Sequence, residues 1–360
     1  MFFPLLAGGG LERVMLNLAR GLALKGTRVD LVLACAQGPY LQAVPPGVNL
    51  VDFRSLRVSR SILRLASYLR HRRPDAVISA STHANVATIC ARAIARGATR
   101  VIVTEHNPPT TVAEYNQDWR TWLLHRTMKS AYRFADSVVA VSRGLADDMA
   151  RRLQFDRDSI NVIYNPVVTP ALLANAAEPL DHPWFGPGQP PVVLAVGRLE
   201  PRKDFSTLLR AFTRLRRARP ARIMILGEGP DRPRLESIVR ELRIEENAAL
   251  PGFVDNPYKY MKRAKVLVLS SRSEGLPTVL IEAMALGTQV VSTDCLSGPD
   301  EILEWGKWGK LVPVGDDLQM ASAICDILDG RARYNVEDRA SAFSLDNIVD
   351  SYLDVVLAGS

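Results

Sequence analysis

Most of the sequence consists of two series of short β-branched runs. Most of the runs are followed by a longer segment with helical periodicity. This alternation predicts βαβ units and parallel sheets, because a parallel strand returns to the same edge through a crossover helix. The runs that predict strands are 28–34, 48–53, 75–79, 100–104, 136–141 and 160–164, then 191–196, 221–226, 247–252, 265–270 and 289–293. We therefore expect an α/β protein with two doubly wound domains that bind ligand in the cleft between them.

A proline-rich stretch separates the two series. Residues 169–191 contain six prolines and no sustained periodicity, so the sequence predicts a linker there. We expect a first domain over 1–168, a linker over 169–190 and a second domain over 191–340. A short amphipathic helix is predicted within 341–360.

Composition excludes several classes of protein. Of the 360 residues, 47% are hydrophobic and 23% are charged, which is typical of a globular chain and not of a disordered one. The four cysteines are far apart and lack metal-ligand spacing, so neither a disulfide scaffold nor a zinc site is expected. No apolar run reaches the roughly 20 residues of a membrane span, and MFFPLLAGGG lacks the basic start of a signal peptide. We expect a soluble or peripheral protein of the cytoplasm.

Positive charge is concentrated in the first half. Residues 1–168 carry a net charge of +10 and the remainder a net charge of −3. This asymmetry predicts an anionic partner for the first domain. Nucleic acid is disfavoured, because no helix-turn-helix, RNP or zinc-finger signature is present.

Much of the excess charge lies between Asp52 and Asp75, a segment without acidic residues. Its arginines are Arg54, Arg57, Arg60, Arg64, Arg70, Arg72 and Arg73. Its apolar residues recur at helical spacing, at Val58, Ile62, Leu65, Ala66 and Leu69. Two interpretations remain open: a helix lying on an anionic membrane, or a surface helix whose apolar stripe packs on the sheet.

Three motifs carry chemistry. A short apolar strand, Phe2–Leu6, runs into a glycine turn, Gly8-Gly9-Gly10, and then into a helix whose N-terminal N–H groups can face an anion. The segment GRLEPRKD follows the strand at 191–196, and its Arg198 and Lys203 can clamp a diphosphate. In SEGLPTVLIEAMALG, Glu274 precedes a helix opened by proline and Glu282 lies inside it.

Taken in order along the chain, these motifs resemble those of a known family. GGGLER, GRLEPRKD, LGEGP (226–230), LPGFV (250–254) and the two glutamates of SEGLPTVLIEAMALG are similar to the retaining glycosyltransferases of family 4, which have the GT-B fold. INVIYNPV (160–167) resembles the end of that family's first domain. The resemblance implies that the C-terminal helix returns to the first domain. The family members that this chain resembles are of the type that builds bacterial cell-surface polysaccharides and lipid-linked glycans.

The resemblance implies a role for each matching residue. Arg198 and Lys203 would bind the donor diphosphate, Glu274 would contact the donor sugar, and Glu282 would hold the ribose hydroxyls. His106, in the segment TEHN, would lie close to the reacting sugar. The remaining donor-lining positions are Gly9, Gly10, Val254, Gly275, Leu276, Pro277 and Thr278.

The implied reaction moves a hexosyl or N-acetylhexosaminyl group from a nucleoside-diphosphate sugar, with UDP favoured, to a hydroxyl of a glycan or polyprenyl-linked saccharide. It retains anomeric configuration and needs no metal. A basic aromatic stretch with Trp119, Trp122 and Arg126 joins the 54–73 region in favouring peripheral attachment to the inner face of the cytoplasmic membrane. Alternatives are a sugar-nucleotide epimerase of the same fold and a non-catalytic partner subunit.

Overall fold

The computed structural model describes residues 1–111 and 119–358 and divides into two compact units. Unit 1 contains Met1–Val167 and Leu345–Ser360, and unit 2 contains Val168–Ser344. Each unit is built on one parallel sheet with crossover helices. The predicted α/β class with two doubly wound domains is confirmed.

Unit 1 contains a seven-stranded sheet in the order β3-β2-β1-β4-β5-β6-β7. Its strands are β1 (Phe2–Phe3), β2 (Val29–Leu33), β3 (Val48–Asp52), β4 (Ala76–Ala80), β5 (Arg100–Glu105), β6 (Ser137–Ala140) and β7 (Ile160–Val162). Its helices are α1 (Gly10–Leu24), α2 (Val58–Arg72), α3 (Thr82–Ala95), α4 (Trp119–Ala131), α5 (Arg143–Leu153) and, from the end of the chain, Leu345–Leu357. The sheet is covered by a core that includes Phe3, Met15, Leu31, Ile102 and Val139.

The helix Leu345–Leu357 packs against α1, so the last part of the chain completes the core of unit 1. Val349 and Tyr352 are fully buried there. The contact is close because α1 has a glycine at the crossing point. A Cβ atom on Gly21 would lie 2.3 Å from the Cγ2 atom of Val349.

Unit 2 contains a six-stranded sheet in the order β10-β9-β8-β11-β12-β13. Its strands are β8 (Val192–Val196), β9 (Arg222–Leu226), β10 (Ala248–Gly252), β11 (Val266–Leu269), β12 (Gln289–Thr293) and β13 (Lys310–Val312). Its helices are α6 (Pro170–Ala177), α7 (Phe205–Ala218), α8 (Arg232–Glu241), α9 (Tyr258–Met261), α10 (Thr278–Ala285), α11 (Pro299–Ile302), α12 (Asp317–Leu328) and α13 (Val336–Ala340); the C-terminal helix of unit 1 is then α14. Leu208, Phe212, Ile225 and Val268 lie in its core.

The segment expected to be a linker, 169–190, belongs to unit 2 and contains helix α6. The Thr169 hydroxyl caps this helix by accepting a hydrogen bond from the N–H of Leu172, and Pro170 occupies its first turn. At eight residues, α6 is too short to produce a visible hydrophobic period. It packs beside α9, and the side chain of Asn256 donates to the carbonyl of Asn175 at 2.8 Å.

Two strands differ from expectation. The first apolar strand covers Phe2–Phe3 and not Phe2–Leu6, because Pro4 has no N–H to donate to a neighbouring strand. Strand β13 was not predicted; it is three residues long and pairs with β12 at the edge of the sheet.

Candidate active site

The order of strands in unit 2 reverses between β8 and β11, which are hydrogen-bonded neighbours. In doubly wound sheets the loops leaving the carboxyl ends of two such strands diverge and open a crevice for ligand. The loop after β8 contains Arg198 and Lys203, and the loop after β11 contains Glu274. Two motifs that are 71 residues apart therefore meet at one edge of the sheet.

Lys203 and Glu274 form a direct ion pair in this crevice. The Nζ atom of Lys203 lies 2.5 Å from Oε1 of Glu274, and the side chains are 13% and 7% exposed. The Ser271 hydroxyl donates to the same carboxylate oxygen at 2.6 Å. The backbone is held as well, because the Ser270 hydroxyl donates to the carbonyl of Lys203. The lysine and the carboxylate are thus fixed relative to each other.

Arg202 is a second cation on Glu274, which the sequence analysis missed. Its guanidinium lies 3.6 Å from Oε2 of Glu274 and 2.5 Å from Oε1 of Glu200. Only its position next to Lys203 in the sequence could have suggested this role. Arg198, by contrast, has a side chain that is 72% exposed, with Glu200 at 3.9 Å.

The charge state of Glu274 follows from these partners. Burial pushes its pKa upward, but the charges of Lys203 and Arg202 and the hydrogen bonds from Lys203 and Ser271 hold the pKa below its ordinary value. Glu274 is therefore a carboxylate at neutral pH. A carboxylate beside two cations at a strand edge can accept hydrogen bonds from hydroxyl groups, while the cations attract a diphosphate.

The segment from Gly275 to Thr278 is buried or half-buried and is tied to the loop after β12. The Ser297 hydroxyl donates to the carbonyl of Glu274 at 2.5 Å, and the N–H of Glu274 donates to the carbonyl of Leu296. Pro277 caps α10 and Thr278 is its first residue, so the helix N-terminus faces the same edge as Glu274.

The other predicted residues of unit 2 lie on the same sheet. Glu282 is 4% exposed within α10, although an exposed helix residue is the commoner place for a glutamate. Val254 is half-buried just after the carboxyl end of β10. Close packing of these loops depends on Gly227, where φ is +143° and a Cβ atom would lie 2.0 Å from the carbonyl oxygen of Gly197.

The glycine turn of unit 1 forms the N-terminus of α1. Gly9 is the N-cap and Gly10 is the first helical residue, and both are exposed. The carboxylate of Glu12 accepts hydrogen bonds from the N–H groups of Gly9 and of Glu12 itself. An incoming anion would compete with this carboxylate for the helix N-terminus.

His106 follows the carboxyl end of β5, which pairs with β4 from Arg100 to Thr104. Its Nε2 atom lies 3.2 Å from the hydroxyl of Thr104. Burial lowers its pKa to about 3, so the imidazole is neutral at physiological pH. A neutral imidazole can donate or accept a hydrogen bond, but it does not supply a positive charge.

The arginine-rich segment forms helix α2, which packs on α3 and whose buried residues include Leu65, Ala66 and Leu69. The predicted apolar stripe is therefore present, with Val58 and Ile62 half-buried at its margin. The opposite face is exposed and contains Arg60, Arg64, Arg70 and Arg72, while Arg54, Arg57 and Arg73 are exposed next to the ends of the helix. Two leucines that the sequence analysis did not single out are also exposed, Leu56 at 83% and Leu63 at 72%.

Of the second basic stretch, α4 is described, and the exposed Leu123 and Arg126 lie on it. The side chains of Trp119 and Trp122 lie outside the described residues. Among the described helices, none has both the length and the apolar character needed to cross a bilayer. Within 1–111 and 119–358, no three His, Cys, Asp or Glu side chains converge as a metal site would require.

Comparison with protein families covers both units. The model described as Glycosyltransferase Family 4 matches residues 8–169. The model described as Glycosyl transferases group 1 matches residues 181–342.

Two full-length relatives are each 26% identical over 360 residues. The first is N-acetylgalactosamine-N,N'-diacetylbacillosaminyl-diphospho-undecaprenol 4-alpha-N-acetylgalactosaminyltransferase of Campylobacter jejuni, matched over 97% of this chain and 95% of the relative. The second is the lipopolysaccharide core biosynthesis glycosyltransferase LpsE of Rhizobium meliloti, matched over 97% and 96%.

Solved structures share the fold over the whole chain. Anabaena HepE in complex with UDP and glucose superimposes with a TM-score of 0.79 at 18% identity, covering 100% of this chain and 98% of that one. The lipopolysaccharide outer core galactosyltransferase WaaB superimposes with a TM-score of 0.74 at 19% identity, with the same coverage.

Proposed function

Because the chain belongs to the family 4 glycosyltransferases, of GT-B fold, we propose that it transfers a hexosyl or N-acetylhexosaminyl group from a UDP-sugar to a hydroxyl of a lipid-linked or lipopolysaccharide glycan, with retention of anomeric configuration. The observation that carries the proposal is the cluster of Lys203, Arg202 and Glu274 at the strand-order reversal of unit 2. The Campylobacter relative, which is named for a diphospho-undecaprenol-linked acceptor, supports the acceptor class. HepE, solved with UDP, supports the nucleobase.

The mechanism follows from charge development. When the bond between the sugar and the diphosphate breaks, negative charge accumulates on the leaving diphosphate and positive charge on the sugar. We propose that Lys203 and Arg198 stabilise the diphosphate, with Arg198 turning in from its exposed position. Donor binding then draws Lys203 from Glu274 toward phosphate, and Glu274 keeps Arg202 as its counter-ion.

The remaining predicted residues complete the donor site in this proposal. Glu282 holds the ribose hydroxyls, and Val254 lies near the base. The N–H groups at Gly9 and Gly10, and the backbone from Gly275 to Thr278, contact phosphate and sugar. His106 lies beside the reacting sugar as a neutral imidazole. The reaction proceeds without a metal ion, so an excess of EDTA should leave the rate unchanged.

The test is nucleotide release from UDP-, GDP- and ADP-sugars, with and without a lipid extract. We expect one UDP-sugar to be cleaved, faster with lipid, and Lys203→Ala to lose this activity. Lys262→Ala is the matched control, because Lys262 is an exposed lysine of unit 2 just before the amino end of β11. Release by wild type from no donor would refute transfer. Conversion of a UDP-sugar into its epimer without an acceptor would establish the epimerase alternative.

We also propose that α2 attaches the protein to the inner face of the cytoplasmic membrane. Its exposed arginines attract anionic headgroups, and Leu63 on the helix and Leu56 just before it are exposed as apolar contacts for the bilayer. Packing on α3 accounts for the buried face of α2 but not for these two leucines.

Co-sedimentation with phosphatidylglycerol and phosphatidylcholine vesicles tests the attachment. We expect pelleting with the anionic vesicles alone, and its loss when Arg57, Arg60 and Arg64 are changed together to Gln. The control removes the same charge from three exposed arginines of unit 2, Arg217, Arg240 and Arg243. Equal pelleting with both lipids, or equal loss in both triple variants, would refute the role of α2.

A further inference from the structure

A buried polar network lies directly beside His106 in unit 1. Glu105, the last residue of β5, is 3% exposed, although a glutamate is rarely buried without a counter-ion. Among the described residues no salt bridge to Glu105 is formed. The neighbours come from β4, α3, β5 and the turn after α4; they are Ser79, Thr82, Asn85, Thr104 and Tyr132.

Glu105 is satisfied by hydrogen-bond donors and not by a cation. The Tyr132 hydroxyl donates to its Oε1 atom, and Nδ2 of Asn85 lies 3.0 Å from the same oxygen. Thr82 and the backbone N–H of His106 donate to the carboxylate as well. Four donors around one carboxylate fit its ionised form, which only accepts hydrogen bonds.

The same network holds the imidazole of His106. The hydroxyl of Thr104 lies 3.2 Å from Nε2 of His106 and donates to the carbonyl of Ser79 at 2.9 Å. Ser79 also donates through its hydroxyl to Oδ1 of Asn85, whose Nδ2 faces Glu105. The backbone and the ring of His106 are therefore both anchored to one set of buried groups.

We propose that Glu105 is a positioning residue for His106, and that its carboxylate fixes the His106 backbone, and through it the imidazole, for the transfer reaction. This inference rests on the proposed function, because it assigns His106 to the reaction. The argument is geometric: Glu105 accepts from the N–H of the residue it positions and from three side chains on two other elements, α3 and the turn after α4. A reacting group displaced by about 1 Å loses about 100-fold in rate.

The charge of Glu105 changes near neutral pH. Burial raises its pKa to about 7, although the four hydrogen bonds oppose the rise. The titratable groups that face it are the Tyr132 phenol, whose pKa burial raises far above neutrality, and the His106 imidazole, whose pKa is about 3. Neither of these groups titrates near 7, so Glu105 is the one of these three groups whose charge changes there.

The direction of the pH effect follows. Below pH 7 the carboxyl of Glu105 gains a proton and becomes a donor, so one of its four donors loses its acceptor. Positioning of His106 is then weakened, and kcat falls as the pH falls through about 7. Donor KM changes little, because Glu105 is not among the residues proposed to bind the donor diphosphate.

The kinetic test measures the pH profile of kcat for wild type, Glu105→Gln and Tyr132→Phe. We expect Glu105→Gln to lower kcat about 100-fold at pH 8. It should also abolish the fall in kcat near pH 7, which is the acid limb of the pH profile. Tyr132→Phe removes one donor to the carboxylate, so the limb should move to higher pH. A purely structural role for the network predicts lower stability in both variants but no movement of this limb.

A second measurement does not depend on sugar transfer. The chain has five histidines, so selective ¹⁵N-histidine labelling gives five backbone amide signals, and His106→Gln identifies the one from His106. In wild type this signal should shift with a midpoint near pH 7, because the carboxylate that accepts from this N–H becomes charged. The shift should vanish in Glu105→Gln and move to higher pH in Tyr132→Phe.

The two arms separate the possible failures. If no donor is cleaved but the amide of His106 titrates as expected, the proposed function fails while the link between Glu105 and His106 stands. If the enzyme is active and the amide signal does not titrate, or Glu105→Gln keeps the wild-type kcat and profile, the positioning role is refuted.

Discussion

Replacing Lys203 by methionine should strongly destabilise unit 2. The change leaves the buried carboxylate of Glu274 without its closest counter-ion, and removing one partner of a buried pair costs about 3–5 kcal/mol. Arg202 at 3.6 Å and the Ser271 hydroxyl remain, so we expect the lower end, about 3 kcal/mol. For a unit of this size that is a fall in Tm of about 6–12 °C.

Differential scanning calorimetry measures the effect, with the transition of unit 1 as an internal reference. The ion pair depresses the pKa of Glu274 in the folded protein, so it contributes stability above the ordinary pKa of a glutamate. This contribution disappears as the pH falls through the folded-state pKa. The difference between Lys203→Met and wild type should accordingly be largest near pH 7 and shrink below about pH 4.5.

The double variant Lys203→Met/Glu274→Gln distinguishes two causes of the lower Tm, the unpaired charge of Glu274 and the lost packing of the lysine side chain. Removing both charges leaves no uncompensated carboxylate, and Arg202 keeps Glu200 as a partner, so most of the lost Tm should return. A shift below about 2 °C in Lys203→Met would refute the reasoning. Failure of the double variant to recover would refute it equally.

Three further predictions concern other parts of the molecule. Gly21→Ala should destabilise unit 1 by about 1–3 kcal/mol in urea unfolding, because the new methyl group would overlap Val349; an unchanged midpoint would contradict the packing of α1 on α14. Cys295 should stay unmodified by maleimide in the native protein and react after unfolding, because burial raises the pKa of its thiol and shields it; labelling at the rate of an exposed thiol would contradict this. Leu56→Asn and Leu63→Asn together should weaken pelleting with anionic vesicles while leaving the Tm within about 1 °C, since both side chains are exposed; undiminished pelleting would remove these leucines from the membrane contact.

The fold could be predicted from the sequence because parallel strands buried on both faces are continuous β-branched runs. VVLAV at 192–196 and VLVL at 266–269 are of this kind, and both are central strands in the sheet of unit 2. Elements too short to show a period were missed, such as β13 and α6, since their positions depend on partners elsewhere in the unit.

The candidate site was predictable only where a motif is contiguous. The motifs GRLEPRKD and SEGLPTVLIE identify the two loops that contain Lys203 and Glu274. The sequence does not show that Arg202 approaches Glu274. The same holds for the network at Glu105, which joins Asn85 to Tyr132 across 47 positions. Contacts of this kind arise from strand order and register, which no local pattern encodes.

The chain leaves unit 1 after Val167 and returns at Leu345, so α14 is synthesised only after the whole of unit 2. All of unit 2 is therefore made before unit 1 receives the helix that packs on α1. Until then, the part of α1 around Gly21 lacks its contacts with Leu345 and Val349. The half of the chain made first is therefore the half that finishes folding last.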